Sequence, residues 1–215
     1  MTASPIAILD YGIGNIRSIS NAVESVGAVP LLTRDPSEII TARALIFPGV
    51  GAFSHGMDNL AAFDLIDVIH RFVQTGKPFL GICLGMQMLF DGSEEFGNTR
   101  GLGLIKGMVR QMPFSSQGTC KLPHIRWNSI REPHSGRWDN TLLAGTTAEE
   151  EMYFVHSFVG MPERQEDVLA TTDYGDCRFC SAVQHDNIYG MQFHPEKSRA
   201  SGLRILRNFT QLTLS

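Results

Sequence analysis

Short apolar runs alternate with helix-periodic segments through the first half of the chain, and this alternation constrains the fold most. Ile6-Ala-Ile-Leu9 reads as a buried strand. Ile16, Ile19, Val23 and Val26 follow at helical spacing, and Gly27 closes that helix. Pro30–Thr33 and Ala44–Phe47 read as strands. Leu60, Phe63, Ile66, Ile69, Phe72 and Val73 predict one face of a helix ending at Gly76. Phe79–Ile82 is the next strand and Leu84–Phe90 the next helix. Strands separated by helices need crossover connections. They predict an α/β fold with an open, mostly parallel central sheet flanked by helices. After about Gly101 the pattern changes. Leu104-Ile105, Tyr153–Val155, Ala182-Val183 and Tyr189–Phe193 read as strands set closer together, and Leu203, Leu206, Phe209 and Leu212 as a last amphipathic helix. Residues 115–118 and 133–140 read as exposed loops. Without a repeat, a low-complexity tract or a linker, the whole chain 1–215 is expected to be a single domain.

Composition narrows the function. At 215 residues the chain can bury a large core. Its 18 basic against 22 acidic residues give −4, which argues against nonspecific binding to nucleic acid or anionic membrane. No apolar run is long enough to span a bilayer, and MTASPIAILD carries no secretory signal, so a cytoplasmic, soluble protein is expected. Four cysteines, Cys83, Cys120, Cys177 and Cys180, are too few for a disulfide scaffold. Cys177 and Cys180 have the spacing of zinc and redox pairs. No second pair accompanies them, so neither metal nor cofactor is expected.

The most informative segment is Gly81-Ile82-Cys83-Leu84-Gly85, at a strand-to-helix junction. A nucleophile with glycines two residues to either side is the elbow arrangement. The sharp turn presents the sulfur at the C-terminal edge of the sheet, where open α/β sheets bind ligands. A helix N-terminus there favours thiolate, and the N–H of Leu84 faces a developing oxyanion. A nucleophilic cysteine needs a base, and the base an orienter. His194 stands out among seven histidines: in Phe193-His-Pro-Glu196 an extended chain puts Glu196 on the same side as the His194 ring. His55, His70, His134 and His185 read as surface or turn residues; His124 and His156, in apolar segments, read as satisfied core histidines. Pro48-Gly-Val-Gly51 also ends a strand and can aim a backbone N–H at the same oxyanion. A dinucleotide fingerprint after the first strand fails, because Arg17 stands at its third glycine.

Together these residues resemble the class I glutamine amidotransferases: GICLGMQ is similar to their nucleophile elbow and FHPEKS to their His and Glu. Asp10–Asn15, Pro48–Phe53, Pro123-His124, Trp127-Asn128 and Tyr153–Ser157 resemble the glutaminase subunits of imidazole glycerol phosphate synthases, over Ile6 to Phe209. The resemblance implies a flavodoxin-like, three-layer fold and hydrolysis of glutamine to glutamate and ammonia by Cys83, His194 and Glu196. It implies oxyanion amides from Val50 and Leu84, and glutamine held by Gly49, Gly51, Gln87, Glu95, His156 and Ser157. It further implies a heterodimer with a (β/α)8-barrel cyclase subunit, contacted through Asn15, Arg126, Trp127 and Lys197. That cyclase uses the ammonia to form imidazole glycerol phosphate and aminoimidazole carboxamide ribotide in histidine biosynthesis. One departure stands out: Arg126 replaces a glycine of the family pattern beside Trp127. A glycine with positive φ, or one at a close contact, would make Arg126 a strain or an obstruction. Other readings therefore stay open: a glutaminase serving a different synthase, such as one that amidates surface sugars; a silent binding module on this fold; and a stand-alone cysteine hydrolase.

Overall fold

The computed structural model describes residues 4–112 and 120–212, so the expected loop at 115–118 lies outside the described residues. The first half runs β1 (Ile6–Leu9), α1 (Ile16–Ser25), β2 (Pro30–Thr33), α2 (Pro36–Thr41), β3 (Ala44–Gly49), α3 (Phe53–Ala62), α4 (Leu65–Gln74), β4 (Phe79–Cys83) and α5 (Leu84–Gln87). The second half is strand-rich: β5 (Phe90–Ser93), β6 (Thr99–Arg100), β7 (Ile105–Gln111), β8 (His124–Ser129), β9 (Glu151–His156), β10 (Phe158–Pro162), β11 (Val168–Tyr174), β12 (Cys177–His185), β13 (Ile188–Met191) and α6 (Arg199–Gln211).

The central sheet has seven strands in the order β11-β12-β13-β4-β3-β1-β2. The pairs from β13 to β2 are all parallel, and β11 and β12 add an antiparallel edge. The mostly parallel sheet thus matches the sequence expectation, and β2-β1-β3-β4-β13 follows a flavodoxin-type order. Alternate residues of β1 feed opposite faces. Ile6 and Ile8 pack with Ile19 and Val23 of α1 and with Ile205, Leu206 and Phe209 of α6. Ala7 and Leu9 pack with Ile39 of α2, Leu60 of α3 and Phe72 of α4. Burial on both faces explains the nearly continuous apolar strands. A four-stranded sheet, β10-β7-β5-β6, and the β8–β9 ribbon lie beside this core.

Two expected elements differ. The face predicted as one helix from Leu60 to Val73 is divided between α3 and α4, because Asp64 adopts left-handed backbone (φ 53°). Phe63 continues the apolar period yet stays out of the core; it is 40% exposed and stacks under Arg34. The helix expected over Leu84–Phe90 stops at Gln87, and Phe90 begins β5. Every residue from Leu84 to Phe90 is buried, so that run has no polar face to set a period. Residues 133–140 form exposed turns, except that Trp138 is buried and donates from Nε1 to Leu169 O (2.7 Å). Among the described residues no helix is long and apolar enough to cross a membrane.

Candidate active site

Cys83 is the last residue of β4, with φ 54° and ψ −110°, a conformation costly for any residue with a Cβ. The flanking glycines make the turn possible. A Cβ on Gly85 would overlap the Phe47 carbonyl oxygen on β3, and one on Gly81 would come within 2.8 Å of the Gly85 backbone. The elbow therefore depends on backbone approach that only glycine permits.

His194 lies just beyond β13, beside β4 in the sheet. Its Nδ1 lies 2.8 Å from Glu196 Oε1, and both side chains are almost completely buried; the pairing is made across a 3-10 turn at Pro195–Lys197, not along the extended segment expected from the sequence. The segment is pinned on three sides. His194 N donates to Tyr153 O (2.9 Å), Ser198 Oγ donates to His194 O (2.6 Å), and Tyr153 N donates to Ser198 Oγ (3.0 Å). Donation from Nδ1 to the carboxylate leaves Nε2 as the working atom, and it is buried without a hydrogen-bond partner. Burial disfavours charge on His194. The Cys83 sulfur and the Glu196 carboxylate overcome that penalty and push its pKa up to about 10. A proton leaving Cys83 therefore has a basic acceptor held in one orientation.

Cys83 and His194 share a cavity of about 430 Å³, within the usual size of small-ligand sites. Of the residues singled out in the sequence, Val50, Gly51, Leu84 and Gln87 line one part of it, and Glu95, His156 and Ser157 line another. Gly49 does not. It is buried behind the site in register with Cys83 and against Tyr11 Oη. Glu95 Oε2 accepts from Phe53 N (2.8 Å), which fixes the carboxylate at the rim. Both hydrogens of the Gln87 amide are committed, to Phe158 O (2.9 Å) and Gln192 Oε1 (3.0 Å).

The core-histidine reading holds for His156, which bonds Phe158 O and His124 (each 3.0 Å), yet His156 also walls the cavity. His124 is only half satisfied, because its Nε2 is buried and unpaired. Burial is the first cause that pushes these pKa values down; the Arg126 guanidinium adds to it at His124, to about 4, and repulsion between protonated His124 and His156 adds to it at His156, to about 3. His185 has a carboxylate neighbour too, Asp167 at 2.9 Å, but no cysteine or serine lines its cavity. Cys177 and Cys180 do not act as a pair. Cys180 Sγ turns to Ala182 O (3.3 Å), whereas the sulfur of Cys177 lies with Cys120 Sγ and the Asp176 carboxylate, all within 4.8 Å of one another.

Beside the cavity, Lys197 stands over the Tyr153 ring, and Trp127 meets the same ring edge-on. Arg199 covers Trp127 at 4.4 Å, and Ile125 is 55% exposed. Asn15 stands at the N-cap position of α1 with no side-chain capping bond, and α1 packs against the Pro195–Lys197 turn. Arg126 is exposed on β8, opposite Phe154, over the Tyr174 ring. It has no positive φ, so the backbone-strain possibility is removed. Sequence reading missed Gln192, Tyr11, Phe96, Pro123 and Val155. The last three line the cavity, and Tyr11 holds the Pro48 carbonyl (2.8 Å) next to the Gly49–Gly51 loop. Gln192 carried a signal in its place two residues before His194, and Tyr11, Pro123 and Val155 stand inside segments that carried the family resemblance.

Residues 7–212 match the glutamine amidotransferase class-I family. The chain is 46% identical over 207 residues to the imidazole glycerol phosphate synthase subunit HisH of Syntrophotalea carbinolica, covering 95% of this chain and 98% of that one. It is 43% identical to the protein of the same name from Aquifex aeolicus, with 94% of each covered. Among solved structures, PurLQS from Thermotoga maritima superimposes with a TM-score of 0.69 at 21% identity, over 98% of both chains.

Proposed function

The chain belongs to the glutamine amidotransferase class-I family, and we propose that it is the glutaminase subunit of an imidazole glycerol phosphate synthase, acting as one domain in the cytoplasm. The observation that carries the reading is Cys83, held in strained backbone at the end of β4, in one cavity with His194, whose Nδ1 is fixed by a buried carboxylate.

In this reading Cys83 attacks the side-chain amide carbon of glutamine. The thiol proton passes to His194 Nε2, and the C–S bond forms as the carbonyl π pair moves onto oxygen. Amides of Leu84 and Val50 receive that oxyanion; losing one such donor costs about 100- to 1,000-fold in rate in other enzymes. His194 returns the proton to the leaving nitrogen, which departs as ammonia. A water then gives its proton to His194 and hydrolyses the thioester, releasing glutamate and restoring the thiol. Glu196 keeps the imidazole in one tautomer throughout. Gly51 and Ser157 lie within reach of bound glutamine, and Glu95 faces its charged α-amino end.

The surface around Ile125, Trp127, Lys197 and Arg199, gathered on β8 and on Tyr153 of the strand whose Val155 and His156 line the cavity, suits a (β/α)8-barrel cyclase partner that consumes the ammonia. Arg126 projects to the other face of β8, over the Tyr174 ring, where it replaces a glycine of the family pattern, and this departure keeps a second reading in which the recipient is a different synthase. The experiment is glutamine hydrolysis by the purified chain with each candidate partner. Activation by the histidine-pathway cyclase supports the first reading. Activation only by another synthase replaces it with the second.

A further inference from the structure

None of these steps uses Gln192, although it is the polar side chain most completely buried against the nucleophile. It is fully buried, directly follows β13 and precedes His194 by two residues. The chain bends at Gln192 and Phe193, so that Gln192 reaches the Cys83 sulfur and His194 shares its cavity, while Phe193 joins the core. Gln192 Nε2 donates to Cys83 Sγ at 3.8 Å. Its Oε1 accepts from Gln87 Nε2 at 3.0 Å, and Gln87 Nε2 also donates to Phe158 O at 2.9 Å.

The direction of this relay is fixed from its far end. A backbone carbonyl only accepts, so Gln87 must present its NH2 group to Phe158. The second hydrogen of that group goes to Gln192, which must answer with Oε1. The NH2 of Gln192 is then left for the sulfur. Hydrogen bonds to an ionised acceptor are roughly twice as strong as neutral ones, so this contact strengthens as the sulfur becomes negative.

We propose that Gln192 is a catalytic hydrogen-bond donor to the Cys83 sulfur, with Gln87 as the positioning residue that sets its polarity. When the S–H bond breaks, its proton goes to His194 and the electron pair stays on sulfur, steadied by the Gln192 N–H until the C–S bond forms. Gln192 itself exchanges no proton. The role of Gln87 is revised accordingly: with both amide hydrogens committed, it can offer glutamine only its Oε1 atom. The inference rests on the glutaminase reading.

The test is the pH dependence of Cys83 alkylation by iodoacetamide, followed by mass spectrometry of the Cys83 peptide, alongside glutamine hydrolysis with the activating partner. Gln192→Met keeps the volume and removes the donor. It is expected to slow alkylation at pH 7 about tenfold, to raise the midpoint of the alkylation profile by about one pH unit, and to lower kcat about 10- to 100-fold with little change in KM. Gln192→Asn, too short to reach the sulfur, serves if the Met variant does not fold and should behave alike. Gln87→Met should shift the profile in the same direction, and the double variant should lose no more than Gln192→Met alone. Folded variants with the parent's profile and kcat overturn the proposal. If the parent chain releases no glutamate from glutamine with any ammonia-consuming partner while Cys83 still alkylates, the glutaminase reading fails instead.

Discussion

Replacing Glu196 with Gln tests the mechanism at its most enclosed point. The substitution keeps the side chain's size in a site where both partners are almost fully buried. It removes the charge that helps raise the pKa of His194. A hydrogen bond to a charged group is worth about 1.5–3 kcal/mol, which alone is about 10- to 150-fold in rate. The Gln amide can also donate to Nδ1, forcing the proton onto Nε2, where the mechanism needs a lone pair. The corresponding tautomer error in a serine protease costs about 10⁴-fold in kcat, so the expected loss lies between about 10² and 10⁴. The assay is steady-state glutamate release with the activating partner, paired with the pH profile of Cys83 alkylation. The kcat loss should come with a nearly unchanged KM. The alkaline limb of the kcat profile, where the parent loses the His194 proton that the leaving nitrogen needs, should move to lower pH because the charge raising the His194 pKa is gone. A folded Glu196→Gln chain retaining at least one third of the parent kcat would refute the assignment.

Gly85→Ala should abolish soluble folding or activity, because the added methyl overlaps the Phe47 carbonyl; circular dichroism and glutamate release read this, and a folded, active variant contradicts the packing argument. His124 and His156 have folded-state pKa values, about 4 and about 3, below the ordinary 6.5, so unfolding takes up protons between those limits. Their contribution is fully present above pH 6.5 and is lost as pH falls, at about 1.4 kcal/mol per pH unit for each histidine. Denaturant unfolding at pH 7, 6 and 5 measures the slope, and a flat profile contradicts their neutral burial. Arg126→Gly should change partner affinity at least threefold while leaving Cys83 alkylation unchanged; calorimetric titration with the cyclase decides, and equal affinities remove Arg126 from the interface.

The sequence expressed the parallel core well, because β1, β3 and β4 are buried on both faces and read as unbroken apolar runs. The elbow and the His194–Glu196 pair were also legible, since each depends on neighbours within two or three residues. What failed was length and long-range pairing. The Leu84–Phe90 run looked helical because a fully buried segment has no polar period. The break at Asp64 left the apolar spacing intact and rested on one backbone angle. Gln87 and Gln192 are 105 positions apart, so no local pattern could couple them. Likewise, the Cys177–Cys180 spacing concealed that Cys177 lies with Cys120, which arrives from another part of the chain.

Glutamate release from glutamine, measured for the chain alone and with a histidine-pathway cyclase, bears most directly on the central claim. The account predicts hydrolysis that rises strongly with the partner and disappears in Cys83→Ala. Undiminished hydrolysis by folded Cys83→Ala, or none by the parent with any ammonia-consuming partner, would contradict it.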